Sequence, residues 1–267
     1  MAPGGGTPAV KLTFLGTGTS FGVPQLGCDC AVCRSTDPRD KRSRVGAVVE
    51  TDGGAVILID TPPELRLQLL GAGITRVDAV LFTHEHADHT HGIDDLRAIT
   101  ARRDIHLPMY GSADTLAGLE QKFNYIFDDS IRPVIGSSKP QGRSVVLEPG
   151  VAVRIADVDV TAVPVPHGPV TVYAYRIGPL AYVTDAKSMP DEAIAMLRGA
   201  RVLVINALFH TPHASHLSVP EAIAAARAIG AELTYLTHLT HDNFHAALEA
   251  ELPPGIAPAY DGLSILV

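Results

Sequence analysis

Six consecutive residues, His84-Glu85-His86-Ala87-Asp88-His89, bring three imidazoles and an aspartate into one short stretch of chain. They directly follow the apolar run Val77-Asp78-Ala79-Val80-Leu81-Phe82-Thr83. Such a run reads as a buried strand, so the cluster sits in the loop at its end. Imidazole and carboxylate are ligand types for zinc, manganese or iron as divalent ions. A chain reversal after the strand lets His84 and His86 face one cation while Asp88 and His89 face a second. The competing reading is a solvated polar turn, but four ligand-type residues at this spacing seldom arise without a metal.

Later apolar runs end in the same way. Asp60 closes Val56-Ile57-Leu58-Ile59 and His167 follows Val163-Pro164-Val165-Pro166. Asp185 closes Ala181-Tyr182-Val183-Thr184, and His238 follows Thr234-Tyr235-Leu236-Thr237. Four strand ends thus deliver ligand-type side chains toward one sheet edge. Thr83 to His89 resembles the signature of the metallo-β-lactamase-fold hydrolases, whose later signals appear here in the same order. The resemblance implies an α/β (α+β) fold, a four-layer αββα sandwich, where periodicity alone gives only mixed α and β. It implies one cation position built from His84, His86, His167 and Asp185. A second would use Asp88, His89, Asp185 and His238, so that Asp185 is shared. Asp60 is expected to orient a ligating imidazole rather than to bind a cation itself.

All three cysteines lie in Gly27-Cys28-Asp29-Cys30-Ala31-Val32-Cys33, and an odd, clustered set favours metal over disulfides. Within the same family, the cyclic-phosphate phosphodiesterases of bacterial phosphonate degradation carry a similar Cys-x-Cys-x-x-Cys after a Gly-rich first turn. Their fourth ligand is a histidine three residues beyond the last catalytic histidine, a position held here by His241. A closed site of Cys28, Cys30, Cys33 and His241 would be a structural zinc site.

The resemblance implies a dimetal-dependent phosphodiesterase acting on small, cyclic phosphodiesters, with two zinc or manganese ions activating a bridging hydroxide. By family position His216 is the proton donor to the departing alkoxide, and His216 and Asp88 are the candidate catalytic residues. Alternatives on the same ligand set are a thioesterase or lactonase, and a tRNA 3′-processing nuclease. A non-hydrolytic partner like the pyrroloquinoline-quinone biosynthesis protein is a further class. Formal net charge is −8, which disfavours a long nucleic acid as partner and leaves a small anionic phosphodiester. Related enzymes are commonly dimers, so a homodimer is within expectation. No apolar stretch reaches the roughly 18 to 20 residues of a membrane-spanning helix, and Met1 to Pro8 lacks a signal core. The expected location is therefore cytoplasmic.

Apolar residues make up 46% of the 267 and charged ones 19%, enough for a sizeable core. Residues 1–9 read as a disordered tail and 10–267 as one domain, because strands beyond the turn-rich Ser137 to Arg143 complete the metal site. Strands are expected at Val10 to Leu15, Val45 to Val49, Ala55 to Ile59, Val153 to Ile155, Val158 to Val163, Thr171 to Arg176, Leu180 to Thr184, Val202 to Ile205 and Leu263 to Val267. Helices are expected from Thr61 to about Leu70, around Ile93 to Ile99, over 112–127 and 191–198, and from Val219 to Ala228. Gly16 to Ser20 is either a plain turn or an anion cradle. The basic run Arg39, Lys41, Arg42 and Arg44 reads as a solvated face with one residue in reach of a substrate phosphate. His91, His106 and His245 read as ordinary polar residues, and His210 and His213 either as residues backing the site or, the favoured reading, as loop residues. Phe123 to Phe127 could line an entrance or a dimer contact, or pack in the core.

Overall fold

The structure, a computed structural model, describes residues 9–267; most of the tail expected at 1–9 lies outside them. Fourteen strands form two seven-stranded sheets. The first contains β1 (Val10–Gly16), β2 (Gly46–Thr51), β3 (Val56–Ile59), β4 (Ala79–Leu81), β5 (Leu107–Gly111), β6 (Gly142–Val146) and β14 (Ser264–Leu266). Its order is β14-β1-β2-β3-β4-β5-β6, antiparallel as far as β3 and parallel from β3 to β6. The second contains β7 (Ala152–Ile155), β8 (Val158–His167), β9 (Val170–Ile177), β10 (Leu180–Val183), β11 (Val202–Asn206), β12 (Leu233–Thr237) and β13 (Ile256–Pro258). Its order runs from β13 to β7, parallel from β10 to β13 and antiparallel beyond.

One apolar core lies between the sheets, with Phe14, Ile57, Leu81, Tyr175, Tyr182 and Val204 among its members. A second core lies outside the first sheet, under α1 (Leu65–Gly71), α3 (Arg97–Arg103) and α4 (Ala113–Lys122). A third lies outside the other sheet, under α6 (Asp191–Leu197), α7 (Val219–Ile229) and α8 (His245–Glu251). Strands buried on both faces explain the near-continuous apolar runs such as Val56–Ile59 and Val202–Asn206. The result is the four-layer αββα sandwich.

α7 shows how the sequence sets an element. Ser218 and Glu221 form a reciprocal capping box, Pro220 sits in the first turn, and Gly230 closes the helix at φ 78°. Its buried stripe, Val219, Ala222, Ala225, Ala226 and Ile229, keeps helical spacing and is mostly small.

Several boundaries differ from expectation. β8 runs on through Pro164 and Pro166 to His167. β7 pairs with it only as far as Thr161, so the prolines fall where that edge is free of a ladder. The helix expected over 112–127 breaks at Phe123 (ψ 42°) into α4 and a single turn, α5 (Asn124–Phe127). α1 begins at Leu65, after both prolines rather than on them. Ile126 is buried in the outer core of the first sheet with Phe123, Tyr125 and Phe127 packed against it, so that aromatic stretch is core.

The basic run is not a solvated face. Arg42 is fully buried, Arg39 pairs with Asp37, Arg44 with Glu64, and Lys41 donates to the Cys33 carbonyl at 3.0 Å. The Gly-rich turn is equally committed. Gly18 N donates to Ser43 O, and Thr17 N to Asp261, so these amides are spent inside the protein. No described helix is long and apolar enough to cross a membrane.

Candidate metal centre

The parallel halves of both sheets end on the same edge, where open α/β sheets present their sites. Past β4 the chain leaves the sheet through Phe82 and Thr83 and sets His84 and His86 in the loop. Asp88 and His89 then lie on the one-turn helix α2 (Ala87–Thr90). His167 is the last residue of β8, Asp185 lies just past β10, and His238 immediately follows β12. Asp60, Asp185 and His238 all have φ near +60°, a left-handed step that turns the chain sharply off the sheet.

The sequence-expected ligands come together in the sets the resemblance implied. One group comprises His84, His86, His167 and Asp185, and another Asp88, His89, Asp185 and His238, with potential ligand atoms within 4.8 Å of one another in each. Asp185 joins them: its Oδ2 is 3.5 Å from His84 Nε2, 3.9 Å from His167 Nε2 and 3.2 Å from His89 Nε2. Its Oδ1 is 3.2 Å from His238 Nε2. Asp88 Oδ2 lies 3.5 Å from His89 Nε2 and 3.9 Å from His238 Nε2.

The ring nitrogens behind these contacts are mostly held in place. His89 Nδ1 donates to Asp60 Oδ2 at 2.7 Å, and His167 Nδ1 to the Ser215 carbonyl at 2.8 Å. His84 Nδ1 meets Thr83 Oγ1 at 3.0 Å, and that hydroxyl donates to Asp60 Oδ2 at 2.8 Å. Asp60 therefore orients the ring of His89 directly and that of His84 through Thr83, as ligating imidazoles require. Asp60 was expected in this role from its place at a strand end. Thr83 and the Ser215 carbonyl were not, and a main-chain carbonyl has no sequence signal because every residue carries one.

These residues fit divalent cations. His89 Nε2 and both nitrogens of His238 are buried with no hydrogen-bond partner, which is costly unless something else engages them. Burial and the neighbouring His89 push His84 well below its ordinary pKa, leaving it neutral as a ligand must be. Burial would raise Asp185, but the imidazoles of His238 and His89 outweigh it and hold the carboxyl well below the usual range. Burial opposes charge on His89, yet Asp185 and Asp60 raise its pKa well above normal. The field at this point thus favours positive charge.

His216 stands beside the pair, its Nε2 3.6 Å from Asp185 Oδ2 and without a hydrogen bond. Its Nδ1 lies 3.0 Å from Ser215 Oγ and 3.4 Å from His213 Nδ1. His213 is consequently part of the surroundings of the site rather than a free loop residue, whereas His210 pairs with Glu251 at the surface. His106 pairs with Asp129 at the surface, His91 packs edge-on to Phe123, and His245 is buried.

A separate cluster joins the cysteine loop to the segment after β12. His241 Nδ1 is 3.2 Å from Cys28 Sγ, 3.7 Å from Cys30 Sγ and 3.6 Å from Cys33 Sγ, all four mutually within 4.8 Å. Burial pushes the Cys33 thiol up to about 11, while the Cys33 N–H lowers that of Cys30. Three thiolates and one imidazole would supply the four donors that a closed structural zinc site takes.

The model of the beta-lactamase superfamily domain matches residues 55–239, and the chain belongs to that family. With this fold and ligand set it is a metal-dependent hydrolase related to the PhnP family. A crystal structure of a diphosphatase from the PhnP family is 39% identical, covers 97% of each chain, and superposes with a TM-score of 0.89. An octanoyltransferase of Porphyromonas gingivalis is 39% identical over 97% of this chain, but the chain spans only 52% of that relative's length. A ribonuclease Z of Bradyrhizobium is 27% identical, over 86% of this chain and 89% of its own.

Proposed function

We propose that the chain hydrolyses small phosphodiesters: water would add to phosphorus as the ester oxygen leaves, His216 would give the departing alkoxide its proton, and two divalent cations held by the ligand groups would supply positive charge. The observation that carries this reading is Asp185, shared by two four-residue ligand groups, with the unpartnered Nε2 of His216 at 3.6 Å. His84, His86, His167 and Asp185 would hold one cation, and Asp88, His89, Asp185 and His238 the other. Bound there, the cations supply Lewis acidity, which drops the pKa of water from 15.7 toward about 7 and draws charge off phosphoryl oxygens. Asp60, Thr83 and the Ser215 carbonyl keep three imidazoles aimed. In this reading His216 protonates the departing alkoxide; burial lowers its pKa, which makes its conjugate acid a stronger donor.

The PhnP-family neighbour, a diphosphatase, supports chemistry at phosphorus. Each phosphorus of a disubstituted diphosphate carries one negative charge and two ester-like bonds, as a phosphodiester does, so one site suits both bonds. The net charge of −8 supports a small substrate over a long nucleic acid. The octanoyltransferase relative favours a second reading, attack on an acyl carbonyl by the same centre, although its name describes a protein about twice as long.

The test is a panel with manganese or zinc supplied: a cyclic nucleotide, a dinucleoside diphosphate, a nitrophenyl phosphodiester, an octanoyl thioester and a precursor tRNA. Turnover at phosphorus in a small substrate is expected. His216→Ala should lose about 10² to 10⁴ in rate with alkoxide leaving groups and less with nitrophenolate, while retaining its cations. Faster cleavage of the thioester or of the tRNA than of any small phosphorus compound would overturn the proposal.

A further inference from the structure

Among the described residues, the bulkiest fully buried side chain is a charged one, Arg42. Its Nη1 donates to the Thr240 carbonyl at 3.0 Å and its Nη2 to the Asn243 carbonyl at 2.8 Å. Asp40 Oδ1, 3.4 Å from Nη2, also accepts the His245 N–H at 2.7 Å. The backbone of Arg42 pairs both ways with Val23, each bond 2.7 Å, and the cysteine loop follows directly. The guanidinium thus clamps the segment that begins at His238, a member of the active-site group, and reaches His241, a member of the cysteine cluster. On the other side Leu239 N donates to Thr17 O at 2.8 Å.

His238 needs such a clamp more than its neighbours do. The rings of His84, His89 and His167 are held at Nδ1 by Thr83, Asp60 and the Ser215 carbonyl, but Nδ1 of His238 has no partner. With no hydrogen bond at Nδ1, its direction depends on the His216 ring stacked on it and on the backbone that carries it, which steps through φ 58° at that residue. A buried guanidinium is expensive to desolvate, and in some proteins such a group is retained for the fixed geometry it imposes.

We propose that Arg42 is a positioning residue that fixes His238 relative to His241. The cysteine cluster and the cation position of Asp88, His89, Asp185 and His238 then fill cooperatively. The position of His84, His86, His167 and Asp185 depends less on the clamp, because none of its ligands lies on that segment and it meets the other position only through the shared Asp185. This coupling rests on the ligand assignment of the proposed function.

The test uses the full chain loaded with cobalt(II) and stripped by graded chelator. Sulfur-to-cobalt charge transfer reports the cysteine cluster, d–d bands report the other two positions, and elemental analysis gives the stoichiometry. Arg42→Lys keeps the charge but loses the fork that spans two carbonyls. It should weaken one active-site position by about tenfold or more and the other distinctly less. Cys30→Ser, which pulls on the same segment from its far end, should produce the same selective loss and decides the matter if Arg42→Lys does not fold. Equal weakening of both active-site positions, or of neither, would overturn the coupling. Failure of the parent protein to bind a cation pair would instead sink the ligand assignment.

Discussion

Asp60→Asn isolates what a residue one step behind the ligands contributes. Asp60 receives three hydrogen bonds in full burial: from Thr83 N at 2.8 Å, Thr83 Oγ1 at 2.8 Å and His89 Nδ1 at 2.7 Å. Asparagine is the clean substitution because Asp60 sits at φ 60°, a region asparagine tolerates and alanine does not. Its single amide oxygen cannot serve both sides. If the oxygen faces Thr83 Oγ1 and His89, the amide NH₂ meets the Thr83 N–H, donor against donor. If it is flipped, Thr83 and His89 must surrender their donated protons, and His89 then carries its proton on the nitrogen that faces the cation. One unsatisfied buried donor costs about 1 to 3 kcal/mol, the loss expected in denaturant unfolding of metal-stripped protein. Misaligned imidazoles should weaken cation binding by about 10- to 100-fold, or roughly 1.4 to 2.7 kcal/mol, measured by chelator competition. Both active-site positions should be affected, since Asp60 acts on His89 directly and on His84 through Thr83. A variant with lowered stability but parental cation affinity at both positions would show that Asp60 merely packs, and the orientation argument would fail.

Asp185→Ala removes the one carboxylate common to both ligand groups and should release both active-site cations; elemental analysis that still finds the pair would contradict the shared role. Tyr175→Phe removes the hydroxyl that donates to the Phe82 carbonyl at 2.5 Å between the sheets. The stranded carbonyl should cost about 1 to 3 kcal/mol in urea unfolding, and a change within about 0.5 kcal/mol would refute it. Arg39, through its side chain and then its N–H, holds Asp37 at about 2, below its ordinary 3.8. A depressed carboxyl stabilises above its unfolded pKa, so this contribution is full above about pH 4 and lost as pH falls through about 2. A carboxyl carbon NMR titration with its midpoint at the ordinary value would refute the pairing.

The ligands were legible in the sequence because they sit at or just past strand ends, where a carboxylate or imidazole interrupts an apolar run. Thr83 to His89 stood out for the same reason. Other features carried no such contrast. β5 and β6 contain Pro108, Gly111, Arg143 and Ser144, so their pattern is not that of a buried strand, and neighbouring ladders impose the conformation. Arg42 read as solvated because charged side chains almost always are. What buries it is a pair of main-chain carbonyls some 200 residues away, which no local pattern announces.

The left-handed residues tie these observations to function. Among the described residues, five other than glycine have positive φ, and Asp60, Asp185 and His238 are three of them. Each directly follows, or nearly follows, a buried strand, where an extended continuation would carry its side chain past the sheet edge. The left-handed step reverses the chain and sets the polar side chain over that edge. Aspartate pays little for this conformation, histidine somewhat more, and such strain persists only where the surroundings overdetermine it. For Asp60 the surroundings are Thr83 and His89, and for Asp185 the five imidazoles around its carboxylate. For His238, whose ring has no hydrogen-bond partner, they are the bonds from Leu239 and Arg42. His238→Gly would relax the backbone, so a gain in stability of the metal-stripped protein together with loss of one cation is the expected pair of outcomes. A loss of stability in that form would mean that the strain is not stored at this residue.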